Sequence, residues 1–312
     1  MSDSRKGVVI LGVFVADLAF RAPRQPSMGE TLLASGFAMG PGGKGSNQAV
    51  AAARAGGDVT FLTRLGADTF GRMAHEIWAW AGVRPRVAMT ENTETGAAYI
   101  FVQDGTGENA IIIAPGAGAR ITPDDMRDAR ATIEGAKIFM TQLETAVETG
   151  RAALEIARGA GVTTILNPAP AAELPDDMLG LCDFVIPNES EAEALTGIAV
   201  GGPAEAERAA EALRKRGAGT AIVTLGARGV YLCSATQSLH IPAFTQGKVV
   251  ETTGAGDAFC GAFATALAEG QDPVRAAQFG CAAAAISVSR PGTAPSMPLR
   301  KEIDTLMEQT AG

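Results

Sequence analysis

The chain has 312 residues, of which 46% are hydrophobic and 19% charged, and a net charge of −8 at neutral pH. That is the composition of a globular protein able to bury a substantial core in one large α/β domain, and it excludes a disordered chain. No Lys/Arg run exceeds Arg214–Lys215–Arg216, which argues against a nucleic-acid binder; an anionic phosphate would have to be held by backbone dipoles, a few lysines and a metal ion.

The polar stretch 1–7 is too short for a signal peptide, and no apolar run reaches the length of a membrane span. Four scattered cysteines (Cys182, Cys233, Cys260, Cys281) form no C-x-x-C pair, as expected of buried thiols in a reducing compartment. The cytoplasm is therefore the expected location. The two histidines, His75 and His240, lie in no nucleophile motif and no H-E-x-x-H, so hydrolase chemistry of the serine, cysteine or zinc type is poorly supported.

Residues 8–11 are β-branched and end at Gly12, the pattern of a buried first strand. The apolar run 13–20 is interrupted by Asp17, either an edge residue facing water or a binding group, and 31–39 reads as a further strand. Next comes Gly40–Pro41–Gly42–Gly43–Lys44–Gly45–Ser46–Asn47, a glycine loop opening an alanine-rich helix. It is neither a P-loop, because Gly45 follows Lys44 where Ser or Thr is required, nor a dinucleotide turn, because the G-x-G-x-x-G spacing is absent. Four glycines in six residues cost much chain entropy, so the loop is expected to let backbone approach a polyhydroxylated ligand, with Lys44 and Asn47 as donors and acceptors.

Residues 59–65 read as a strand and 71–81 as a helix whose Trp78 and Trp80 are packing anchors. Strands over 97–102 and 110–114 flank a Gly-rich hairpin turn, and with 13–39 they predict a small separate sheet. A regular beat follows: strand 138–143, helix 147–159, strand 163–166, strand 184–187 leading into 188–195, helix 203–216, strand 220–225. Such alternation predicts right-handed βαβ units and a mostly parallel sheet covered on both faces. Ligands of such sheets sit beyond the strand C-termini, where Gln142, Glu144, Asn167, Asn188, Glu191, Thr224 and Gly226 fall.

The last third supplies helices over 254–269 and 272–288 and a turn over 289–298. The first of these opens at Thr253–Gly254–Ala255–Gly256–Asp257, a second glycine turn at a helix N-terminus, where unpaired N–H groups and the helix dipole favour an anion. Asp257 there is either a cap or a catalytic base, and the upstream glycine loop favours the base.

Gly42–Gly43–Lys44–Gly45–Ser46–Asn47–Gln48–Ala49 and Thr253–Gly254–Ala255–Gly256–Asp257 resemble the two signatures of the ribokinase-like sugar kinases of the phosphofructokinase-B family, with the ribokinase branch the nearest likeness. Between them, Gln142–Leu143–Glu144, Leu166–Asn167–Pro168–Ala169–Pro170, Pro187–Asn188–Glu189–Ser190–Glu191 and Val223–Thr224–Leu225–Gly226–Ala227–Arg228–Gly229 follow in the family order. The resemblance covers nearly the whole chain. It implies a single three-layer α/β kinase domain over 1–312, with a small β-sheet lid from about 13–39 and 97–114 inserted in it.

It also implies ATP-dependent phosphorylation of a sugar's primary hydroxyl. Asp257 would be the base, with the N–H groups of Gly254, Ala255 and Gly256 on the γ-phosphoryl oxygens. Asp17, Gly43, Lys44, Asn47 and Glu144 would hold the sugar. Asn188, Thr224, Gly226, Gly229 and Cys281 would line ATP, and Glu191 would face Mg²⁺ through water. Glu251, Thr253, Ser287, Arg290, Gly292 and Ser296 would surround a monovalent cation, K⁺, and the lid would pair two subunits into a homodimer.

Two positions depart from the family. Val15 stands where ribose-binding members carry an asparagine; a sugar hydroxyl buried against it would lose its partner at a cost of roughly 1–3 kcal/mol. That points to a substrate deoxygenated or apolar on that side. Glu251 replaces an aspartate of the second signature and would shift or abolish cation binding. The expected substrate is ribose or a close pentose; the alternatives are 2-deoxyribose, a ketohexose or a nucleoside on the same fold, or a non-catalytic sugar- or nucleotide-binding protein.

Overall fold

A computed structural model describes residues 7–310. The polar leader expected over 1–7 thus falls, apart from Gly7, outside the described residues. Strand β1 (Val8–Leu11) leads to β2 (Val15–Ala22) and β3 (Gly36–Gly42), then helix α1 (Lys44–Arg54), β4 (Val59–Gly66), α2 (Thr69–Ala81) and β5 (Arg84–Thr90). The hairpin β6 (Gly96–Gln103) and β7 (Asn109–Ala114) precedes short helices α3 (Pro123–Asp128) and α4 (Arg130–Glu134), and then β8 (Ile138–Thr141). There follow α5 (Val147–Gly159), β9 (Thr163–Leu166), β10 (Phe184–Val185), α6 (Glu189–Thr196), α7 (Pro203–Lys215) and β11 (Thr220–Thr224). The chain ends through β12 (Val230–Cys233), β13 (Ser238–Ile241), α8 (Ala255–Ala268), α9 (Pro273–Ser287) and α10 (Arg300–Thr310).

Nine strands form one sheet in the order β13-β12-β11-β10-β9-β8-β1-β4-β5, parallel from β11 to β5 and antiparallel at β11–β12–β13. Its two faces are both covered. Val8 and Ile10 point into one apolar cluster, shared with α1, α8 and α9; Val9 and Leu11 point into another, shared with α5 and α7. Strand residues alternate between faces with a period of two, so a strand buried on both sides must be apolar throughout, as VVIL is. This is the expected three-layer α/β architecture, a mostly parallel sheet covered on both faces.

A second sheet, β3-β2-β6-β7, contains the segments expected to build the lid. Here the boundaries differ from those in the sequence reading. The strand expected over 31–39 starts at Gly36 and runs on through Gly40, Pro41 and Gly42, which pair with Asp17, Ala16 and Val15. Pairing with β2 overrides the low strand propensity of those residues, and proline is tolerated because β3 is an edge strand. Lys44, expected inside the glycine loop, is the first residue of α1.

Strands β5, β12 and β13 and helices α3, α4 and α10 were not expected. Pro85 hides β5, again at a sheet edge. Helix α10 was legible, since Ile303, Leu306 and Met307 fall on one helical face and are buried. Trp78 is a core anchor whose Nε1 donates to Ser46 Oγ at 2.9 Å, whereas Trp80 is 50% exposed beneath the Arg54 guanidinium.

Candidate active site

Two helices begin side by side beyond the C-terminal ends of the central strands. Helix α1 starts after Gly43 (φ 87°) and α8 after Gly254 (φ 82°), left-handed backbone that favours glycine. The glycines before and in α1 are also required by the protein's own chain. A Cβ on Gly43 would stand 2.5 Å from the Val13 carbonyl oxygen, and one on Gly45 would stand 2.6 Å from Gly12 Cα. A Cβ on Gly42 would collide with the Asp17 carboxylate. Close packing against the β1–β2 segment therefore requires these three glycines, whereas Gly40 has open space around it.

The N-terminal N–H groups of the two helices meet different fates. Lys44 N and Gly45 N donate to Glu144 Oε2 at 2.8 and 3.4 Å, so Glu144 completes α1 from 100 residues away and keeps Oε1 for other use. On α8, Ala255 N donates to Thr252 O at 3.2 Å, while the N–H groups of Gly254, Gly256 and Asp257 meet no acceptor among the described residues. That leaves an anion-attracting end.

Asp257 does not cap its own helix. Its Oδ2 accepts from Asn47 Nδ2 at 3.1 Å and its Oδ1 from Gln48 Nε2 at 3.0 Å, joining residues 210 and 209 positions apart. Burial raises its pKa, against the pull of Lys44 and the two amide donors. Burial opposes the Lys44 ammonium too, but the charges of Asp257, Glu144 and Glu191 outweigh it and hold the lysine above its ordinary range. Glu144 is pushed up to about 7 by burial and by Asp257. Glu191 is raised chiefly by burial. One cation thus faces three carboxyls, each of which is more basic than a free side chain.

In the small sheet, Asp17 lies in β2 between β3 and β6, so it is not on a sheet edge, and its carboxylate has no hydrogen-bond partner among the described residues. Burial, with Glu251 nearby, raises it to about 6. Val15, two residues earlier on the same face, is 6% exposed and belongs to the apolar cluster of Val13 and Ala98.

On the opposite side, β10 and β11 end together at an Asn188–Thr224 bridge. Asn188 caps α6 by accepting from Glu191 N at 2.8 Å, and Glu191 Oε2 accepts from Asn188 N at 2.9 Å. This leaves Asn188 Nδ2 and Glu191 Oε1 free to face solvent or ligand. Gly226 (φ 53°) and Gly229 (φ 90°) form the turn after β11, closed by Leu225 N donating to Gly229 O at 2.8 Å. Cys281 is not drawn to the carboxyl cluster; it sits in α9 within the core, its thiol pushed up to about 12 by burial.

The positions expected around a monovalent cation gather in part. Glu251 Oε2 accepts from Gly292 N at 2.8 Å, and the carbonyls of Thr253, Arg290 and Gly292 accept no hydrogen bond among the described residues. The Ser287 and Ser296 hydroxyls are spent on the carbonyls of Ala284 and Thr293, and the Arg290 guanidinium pairs with Glu302 at 2.5 Å. Carbonyls are thus what this loop offers a cation. Thr293 Oγ1, in the same loop, donates to Pro41 O at 2.8 Å and ties the loop to strand β3 of the small sheet. Among the described residues no cluster of three or more His, Cys, Asp or Glu side chains has a metal-binding arrangement. A hard cation here would keep most of its water, as Mg²⁺ does.

Sequence reasoning on single residues missed Gln48, whose only signal was its place beside Asn47 in the glycine motif. Gln142 and Asn167 stood out as strand-end polar residues and as members of family motifs, without a role; both hydrogen-bond Gln48, at 2.6 and 3.0 Å.

A family model described as pfkB family carbohydrate kinase matches residues 5–300. A ribokinase of Haemophilus influenzae is 39% identical over 305 residues, 97% of this chain and 99% of its own. A deoxyribokinase of Salmonella typhi is 36% identical over 293 residues, 93% of this chain and 95% of its own. The structure of Arabidopsis thaliana ribokinase complexed with ribose and ATP superposes with a TM-score of 0.91 at 31% identity, covering 97% of this chain and 99% of that one.

Proposed function

Because the chain belongs to the pfkB family of carbohydrate kinases, we propose that it transfers the γ-phosphoryl group of ATP to the primary hydroxyl of ribose or a close pentose, with Asp257 as the base. The observation that carries this reading is the Asp257 carboxylate, 7% exposed, held by two side-chain amides beside the unpaired N–H groups of α8. A sugar hydroxyl is a weak nucleophile. As its oxygen bonds to the γ-phosphorus, its proton passes to Asp257, the bond from phosphorus to the β–γ bridging oxygen breaks, and ADP leaves with the electron pair.

The N–H groups of Gly254 and Gly256 stabilise the charge that develops on the γ-phosphoryl oxygens; Ala255 joins them if its N–H leaves Thr252. Asp17, Asn47 and the free oxygen of Glu144 take sugar hydroxyls, with Gly43 at the edge of the pocket, and Lys44 balances the carboxyls and the incoming phosphate. Asn188, Thr224, Gly226 and Gly229 face the nucleotide, with Cys281 near the adenine. Mg²⁺ held through water by Glu191 would neutralise phosphate charge. K⁺ would take the carbonyls near Glu251. The lid over the sugar excludes water and so limits wasteful hydrolysis of ATP.

This reading treats the whole chain as one kinase domain with an inserted lid, working in the cytoplasm as a homodimer. Four free buried cysteines favour a reducing compartment. All six residues of β7 are exposed, including Ile111, Ile112 and Ile113, which favours a partner on the lid.

A second reading, 2-deoxyribose as the substrate, is favoured by Val15. A buried valine among apolar neighbours leaves a hydroxyl on that side unpaired.

The test is coupled ADP release with Mg²⁺–ATP over ribose, 2-deoxyribose, fructose, other pentoses and nucleosides, with and without K⁺. Asp257→Asn should lose about 10²- to 10⁴-fold in kcat. A variant as active as the wild type would remove Asp257 from the chemistry, and ATP binding without turnover of any sugar would favour a binding protein.

A further inference from the structure

Asp257 is held from one side by a buried chain of amides that the reaction itself does not consume. Gln48 is fully buried in the first turns of α1. Its Nε2 donates to Asp257 Oδ1 and to Asn167 Oδ1, each at 3.0 Å, and its Oε1 accepts from Gln142 Nε2 at 2.6 Å. The orientation of the whole chain follows from one group that cannot be reversed. Asn167 Nδ2 donates to the Ile186 carbonyl at 2.8 Å, and a backbone carbonyl can only accept. Asn167 must therefore present its oxygen to Gln48, and Gln48 must answer with its NH₂. Turned over, the Gln48 oxygen would face both Asn167 Oδ1 and Asp257 Oδ1, and the Gln142 donor would face a donor.

We propose that Gln48 is a positioning residue for the phosphoryl-transfer step: by donating to Asp257 Oδ1 it fixes the carboxylate plane and leaves Oδ2 as the oxygen that takes the substrate proton. Asn47 donates to Oδ2 at 3.1 Å, and its own Oδ1 is buried without a partner among the described residues, so its amide has an atom left for a ligand, whereas every polar atom of the Gln48 amide is already paired. The inference rests on Asp257 being the base, and it adds which oxygen acts and what aligns it. A donor on Oδ1 also favours the ionised carboxylate, the form a base needs, and so offsets part of the effect of burial. The other charged or titratable groups facing Asp257 are Lys44 of α1, Glu144 after β8, Glu191 of α6 and Cys260 of α8 itself; none of them donates a hydrogen bond to the carboxylate.

The experiment compares Gln48→Met, Gln48→Glu and Asp257→Asn with the wild type in steady-state kinetics across pH, alongside thermal melts. Gln48→Met keeps the length but loses the donor. It should lower kcat by about 10- to 100-fold, leave the sugar and ATP KM within about threefold, and move the acidic limb of kcat to higher pH. Gln48→Glu keeps the shape and sets a second carboxyl against Oδ1, so the limb should move further in the same direction; it also serves if the methionine variant does not fold. A wild-type limb in either variant, or equal losses in kcat and both KM values tracking a lower Tm, would overturn the proposal in favour of simple packing. If Asp257→Asn is itself as active as the wild type, the base assignment has failed; if it is inactive while Gln48→Met retains the wild-type limb, only the positioning role has.

Discussion

The Gln48 carbonyl oxygen lies 2.5 Å from where a Cβ on Gly261 would stand, and Ala51 Cβ lies 2.7 Å from the same point. Helix α8 crosses α1 at this glycine, and the closeness of the crossing carries Asn47 and Gln48 to Asp257 one helical turn earlier. Thr265 Oγ1 repeats the contact a turn later by donating to Ala52 O at 3.0 Å.

Gly261→Ala should therefore destabilise the protein although alanine is the better helix former. Propensity would gain up to about 1 kcal/mol, but forcing a methyl group into a filled crossing costs about 1–3 kcal/mol, and here it would also part the amides from the carboxylate. Urea melts should show a lower midpoint with an unchanged slope, and kcat should fall with it.

Glu144 predicts a trade between stability and function. Its pKa stands at about 7 in the fold against 4.5 as a free side chain. For an acid raised in this way, the stabilisation is fully present below the unfolded value and is lost as pH rises through the folded one. Between pH 4.5 and 7 the unligated protein should lose on the order of 3 kcal/mol from this group. Glu144→Gln should flatten that loss, melting above the wild type at pH 8 and near it at pH 4.5, while raising the sugar KM.

The same carboxyls predict how sugar binding responds to acid. Glu144 at about 7 and Asp17 at about 6 must be ionised to accept strong hydrogen bonds from sugar hydroxyls. The sugar KM should rise as pH falls through this range, and with Asp17→Asn the lower part of the rise should disappear. A KM flat from pH 8 to 5 would remove both groups from sugar binding.

Val15→Asn would supply the missing partner on the lid. The ratio of kcat/KM for ribose over 2-deoxyribose should rise by about 5- to 150-fold, the equivalent of 1–3 kcal/mol. An unchanged ratio would mean that Val15 does not face the sugar.

Ile112 is 70% exposed at the centre of β7, with Ile111 and Ile113 beside it. Sedimentation should find the wild type dimeric at micromolar concentration and Ile112→Glu monomeric with an unchanged Tm. A monomeric wild type would rule out pairing through the lid.

Local chemistry was enough for much of this protein. Continuous apolar runs alternating with helical segments predicted the central parallel strands, and two glycine turns ahead of alanine-rich runs predicted the N-termini of α1 and α8 close to their true positions. Such features depend on neighbouring residues along the chain, so they can be read from it. The edge strands β3, β5 and β13, and β12 that pairs with β13, were hidden or misplaced because pairing partners, rather than propensity, make them strands. The tertiary structure alone decided that Asp257 is held by Gln48 and Asn47 instead of capping its helix, and that Glu144 completes α1. Those outcomes depend on contacts 100 to 210 residues apart, fixed by the packing at Gly45 and Gly261, where no side chain fits. In the sequence a glycine needed for a ligand and one needed for a close crossing look alike; only the neighbouring backbone tells them apart.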